Sequence, residues 1–116
     1  MNVVMLIGNL ATEVDLRSLD GDKQVANFVL AVDRPGKDEA DFFRVAVWDR
    51  QAEICARYLV KGKRIALDGR LRSRSWEEDG KRRSAVEVVA NRVQFLSPPT
   101  ATPRQRSRSR PPPRSP

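Results

Sequence analysis

Gly69 to Trp76 reads GRLRSRSW. In an extended strand the side chains alternate between two faces. Arg70, Arg72, Arg74 and Trp76 therefore share one face, and Leu71, Ser73 and Ser75 share the other, toward an interior or a strand neighbour. Groups at every second residue recur about every 6.6 Å along a strand. A single-stranded nucleic acid offers a comparable alternation, with phosphates for cations to neutralise and flat bases for rings to stack on. A solvated hairpin whose charges guard an edge is the plain alternative. Phe42 to Trp48, FFRVAVW, repeats the pattern. Phe43, Val45 and Val47 make an apolar face for a core; Phe42, Arg44, Ala46 and Trp48 occupy the other. Trp48 could cover the end of the core and Phe42 could pack across strands, but a second occurrence favours a binding track.

Other chemistry is poorly supplied. The chain has no histidine and one cysteine, Cys55, which removes disulfides, histidine-assisted nucleophiles and the usual zinc sites. No acid pair stands in a recognisable catalytic frame, so no enzyme, metal or cofactor is expected. Cys55, inside a helical pattern, reads as a small core residue. The N-terminal apolar run, Val3 to Ile7, is too short to span a bilayer and has no basic leader, which points to a cytoplasmic protein without a membrane partner.

The formal charge of +7 is unevenly spread. Residues 97–116 hold five arginines and no acids, leaving +2 for residues 1–96. Within these, residues 1–56 carry −4, residues 57–83 carry +6 and residues 84–96 balance. The strongly basic part contains GRLRSRSW.

The elements that must position these residues follow in order. Val3 to Leu10 reads as a buried strand, with Gly8-Asn9 marking a bend or bulge. Asp20-Gly21 signals a turn, and Val25 to Asp33 is a strand with Phe28, Leu30 and Val32 on one face. A Pro-Gly loop leads to the strand Phe42 to Trp48. Asp49 to Val60 reads as a helix with Asp49 as N-cap, an Ala52-Cys55-Ala56-Leu59 stripe and Gly62 at its C-terminal cap. Lys63 begins a strand that runs through the arginines. Glu77 to Arg83 is a hairpin tip around Asp79-Gly80. Ser84 to Leu96 returns, with Val86, Val88 and Ala90 opposing Glu87 and Val89. From Ser97 onward, seven prolines and few apolar residues predict a disordered tail, so the chain divides into a domain over 1–96 and a tail over 97–116. Three strands, a helix and a two-stranded hairpin suggest an all-β OB-fold: a five-stranded Greek-key barrel with one helix between strands three and four.

MNVVMLIGNL, VANFVLAVDRP, ADFFRVAVWDRQAE, YLVKGKRIALDGRLRSRSW and VEVVANRVQFL follow one another as in the bacterial single-stranded DNA-binding protein (SSB) family, which residues 1–96 resemble. The resemblance implies an OB-fold, usually a homotetramer, that wraps single-stranded DNA in replication, recombination and repair, and it places the protein at the nucleoid. It matches Phe42, Trp48 and Trp76 to base-stacking positions, and Arg44, Arg50, Lys61, Arg72 and Arg74 to basic positions on the DNA path. Alternation adds Arg70 as a phosphate contact.

Two departures stand out. Some members carry another stacking tryptophan in the loop that here contains Gly36. The family typically ends in an acidic tip that recruits replication and repair proteins, whereas this sequence has no acid after Glu87 and reads RQRSRSRPPPRSP. A secondary paralogue, or a tail that touches nucleic acid itself, would fit that ending. The rival readings are an OB-fold that docks an acidic protein partner and a general single-stranded RNA binder.

Overall fold

The period-two stretch Phe42 to Trp48 and the apolar run Val4 to Leu10 both fold as strands. The structure, a computed structural model, describes residues 1–96. The tail expected to be disordered, 97–116, lies outside them. Among the described residues there are six strands, β1 (Val4–Leu10), β2 (Asp15–Ser18), β3 (Gln24–Asp33), β4 (Ala40–Trp48), β5 (Arg64–Glu78) and β6 (Lys81–Phe95), and one helix, α1 (Asp49–Tyr58).

The strands lie in the order β1-β5-β6-β4-β3-β2. Antiparallel pairing of β1 with β3 at Asn9–Ala31 and Leu10–Leu30 joins the two sides, so β1, β5, β6, β4 and β3 close on themselves. Only the β4–β6 contact is parallel. This is the OB-fold, with its helix between the third and fourth barrel strands (β4 and β5 here). The extra strand β2 is four exposed residues paired to β3, too short and too polar to show a period in the sequence.

Closure depends on two close backbone approaches. A Cβ on Gly8 would sit 2.2 Å from the Ala31 carbonyl oxygen, and one on Gly69 would sit 2.2 Å from that of Val89. Both positions need the missing side chain, because neighbouring backbone occupies its place. The bend expected at Gly8-Asn9 is where β1 passes from β5 to β3. Inside, Leu10, Phe28, Leu30, Val45, Val47, Ile65, Leu67 and Val88 pack with Ala52, Cys55 and Leu59 from α1 and its end into one core. Cys55 is buried there, and desolvation pushes its thiol pKa up to about 11.

Several local expectations need correcting. Asp49 is not the N-cap: Trp48 takes that position in extended backbone, without a side-chain cap bond. Strand β4 runs directly into α1, and Asp49 makes the reversal at φ +56°, a region aspartate tolerates better than most residues. Gly62 is not the helix cap either. The helix ends at Leu59, whose N–H donates to the Cys55 carbonyl, and Gly62 serves the following turn at φ +97°. The hairpin tip is only Asp79-Gly80, both at positive φ, the two-residue turn that matches strand twist. Pairing therefore extends out to Glu78–Lys81. Val86 does not face the core: it is 61% exposed, because it lies beyond Val88, the last hairpin residue before the tip that packs into the barrel. Glu87 is the reverse case, buried on the face expected to be solvated.

Candidate nucleic-acid interface

Residues directly opposite in a sheet share a face, so register fixes which side chains meet. Val45 pairs with Val88 inside the barrel, and Ala46 with Val89 outside it. Across β5–β6, Arg70 pairs with Val89, Arg72 with Glu87, Arg74 with Ala85 and Trp76 with Arg83. The outer faces of β4 and the hairpin thus adjoin, and an open groove of ≈ 840 Å³ runs between them and the β2–β3 side. Arg44, Trp48, Arg72 and Arg74 all line it, with Asn27 and Val29 of β3 contributing to its floor.

The remaining expected site residues fall around this groove. Phe42, 65% exposed, shares the outer face of β4 with Arg44 and sits two residues further along, about 6.8 Å by strand rise. Arg70 is exposed on the hairpin face that carries Arg72. Trp76 lies near the hairpin tip and is 44% exposed. Lys61 is exposed in the loop after α1; its backbone N–H donates to Glu13 Oε1, and Glu13 lines the groove. Arg50 does not join the track. It belongs to a separate hollow between the β2–β3 turn and α1, alongside Asp22, Glu53 and Arg57.

The groove contains acids as well. Glu87, 8% exposed, accepts from the Nη2 group of Arg72 at one carboxylate oxygen and from Arg74 Nη1 at 3.3 Å at the other. Asp15 holds Arg17 at 3.1 Å. Among the lining residues four arginines face Glu13, Asp15 and Glu87, a formal balance of +1. Arg44 has neither an ion pair nor a side-chain hydrogen bond within the described residues. Sequence reasoning missed these acids. Glu87 was detectable as the one charge interrupting the apolar run VEVVA, directly opposite an arginine once the Asp79-Gly80 turn sets the register.

Loop 34–39 is held at its ends by Arg34. Arg34 bonds Asp41 at 2.9 Å and Glu39 at 3.0 Å, and Gly36 sits at φ +74°. Among the described residues no group of histidine, cysteine or acids could hold a metal ion, and no helix is long and apolar enough to cross a membrane.

An OB-fold barrel presents grooves of this kind to oligonucleotides and oligosaccharides, and rings beside guanidinium groups fit the former. Residues 1–96 match the single-strand binding protein family, and the chain belongs to it. That is a binding family, not an enzyme family. A Clostridium tetani protein named single-stranded DNA-binding protein is 50% identical over 102 residues, covering 83% of this chain and 70% of its own length. A Bacillus cereus protein of the same name is 46% identical over 104 residues, and the match covers 84% of this chain and 61% of that protein. A Treponema pallidum protein so named is 36% identical over 102 residues, covering 83% and 58%. The match thus spans about three fifths of the length of the latter two relatives.

Proposed function

We propose that this protein binds single-stranded DNA without sequence preference and without catalysis, covering strands exposed in replication, recombination and repair. The observation that carries this reading is the groove where Arg44 and Trp48 of β4 meet Arg72 and Arg74 of β5. Phe42, Trp48 and Trp76 offer ring faces to bases, and every base has a face to stack, so little sequence preference results. Arg44, Arg70, Arg72 and Arg74, with Lys61 at the rim, attract phosphates and release their counterions. Arg50 contributes long-range attraction from beside α1 rather than a contact in the groove. Duplex DNA hides its base faces and leaves the rings nothing to stack on.

The assembly is a homotetramer in this reading. Val3, Met5 and Ile7 form an exposed apolar row on the outer side of β1, a surface suited to a second copy of the chain. The arginines of residues 97–116 add a weak, screened attraction for the same polymer. Titrating the protein with oligo(dT), a matched RNA and a duplex tests the function. Tight binding to oligo(dT) alone is expected; preference for RNA, or binding only to an acidic protein, would replace it.

A further inference from the structure

Glu87 is the least exposed charged residue of the domain, and it stands inside the groove that is meant to receive an anion. Both of its oxygens are engaged by arginines on the neighbouring strand. The engagement is dictated by register: Arg72 lies directly opposite Glu87, and Arg74 is its diagonal neighbour on the same face. Arg72 Nε is buried without an acceptor, so the Arg72 charge relies on Glu87 alone among the described residues. A carboxylate in this position resembles one phosphate already in place. Arg72, Arg74 and Glu87 together carry +1, where the arginines alone would carry +2.

Resting on the DNA-binding reading, we propose that Glu87 is an affinity-limiting residue, an internal anion that cancels one of the groove's cationic charges toward the phosphate backbone. Its strand is clamped between β4 and β5, so the carboxylate cannot leave when DNA enters. The strand's phosphates share the arginines with it. Arg74, whose side chain is mostly exposed, keeps spare N–H donors for a phosphate while Glu87 holds its orientation. Arg72, more deeply held, contributes less to phosphate binding than its place in the arginine run suggests. The consequence is binding whose salt dependence is shallower than the number of groove arginines implies.

The test is a salt series of oligo(dT) titrations with the full chain, comparing wild type, Glu87→Gln, Arg72→Gln and the double variant. Glutamine keeps the shape and removes the charge. Glu87→Gln is expected to steepen the slope of log K against log[salt] by about 0.7, one phosphate equivalent. Between 1 M and 50 mM salt this amounts to a gain in affinity about eightfold larger than wild type shows. The double variant restores the formal balance and is expected to match the wild-type slope. If Glu87→Gln does not fold, as judged by circular dichroism, Arg72→Gln against the double variant reads out the same difference of about 0.7. An unchanged slope in these comparisons overturns the proposal. So does weaker binding with a shallower slope, which would make Glu87 only a support for the arginines. If wild type itself fails to bind oligo(dT), the function falls and this inference with it.

Discussion

Three rings and one unpaired arginine carry the sharpest expectations at the residue scale. Trp48 lines the groove and Trp76 stands exposed near the hairpin tip. Truncating either to alanine should weaken oligo(dT) binding by about 1–3 kcal/mol, while circular dichroism of Trp76→Ala stays native. Unchanged affinity in both variants would remove stacking from the mechanism. Arg44, with no carboxylate holding it, should act as a full phosphate contact. Arg44→Gln is expected to lower the salt slope by about 0.7. Arg50→Gln, removed from the groove beside α1, should change it less, and equal losses would mean that DNA passes over the helix as well. Cys55 has a different fate. Burial raises its thiol pKa to about 11, so the folded protein keeps the proton where an unfolded chain would lose it. Stability from this residue is complete below the ordinary thiol pKa of about 8.5 and is lost as pH rises toward 11. Chemical denaturation at pH 8 and pH 10.5 should show a larger loss for wild type than for Cys55→Ala.

At the scale of elements, closure of the barrel rests on β1 and β5 crossing their neighbours at glycine. Gly8→Ala would drive a methyl group into the Ala31 carbonyl. Relieving that clash requires β1 to move, with a cost of at least about 1–3 kcal/mol, visible as a lowered unfolding midpoint. A wild-type midpoint would show that β1 can be displaced from β3 without consequence. Strand β4 was legible because it alternates: Phe43, Val45 and Val47 inward, Phe42, Arg44 and Trp48 outward. Strand β1 was legible as an unbroken apolar run, which hid the exposed residues Val3, Met5 and Ile7. The helix was legible from its Ala52-Cys55-Leu59 stripe. Its N-terminus was not, because an Asp after a Trp looks like a cap, whereas here the chain turns at Asp49 itself. Alternation also fails past the end of a core. Val86 keeps the period of the buried Val88 and Ala90, but it lies beyond the part of the hairpin that packs into the barrel and is exposed. Glu87 fails in the opposite sense, since a local pattern places it outside and only a cross-strand partner explains its burial. The aromatic and arginine faces could be read from one strand at a time; their charge balance required the register between two.

For the whole molecule, charge and assembly follow from surfaces that the fold leaves open. The exposed row Val3, Met5 and Ile7 predicts self-association through β1. Mass measurement in solution should give a tetramer, and Met5→Lys should lower the mass; a wild-type monomer would contradict the assembly. Deleting residues 97–116 removes five arginines and should make the salt slope shallower if they reach the DNA. An identical titration would leave binding to the barrel alone. The central claim, that rings on the outer face of β4 and β5 hold the bases of a single strand, is tested most directly by intrinsic tryptophan fluorescence during titration with oligo(dT). Trp48 and Trp76 are the two tryptophans of the chain, so the signal comes from the proposed site. Saturable quenching with oligo(dT), and little with a duplex of equal length, is the predicted result. Binding without quenching, or equal quenching by the duplex, would contradict it.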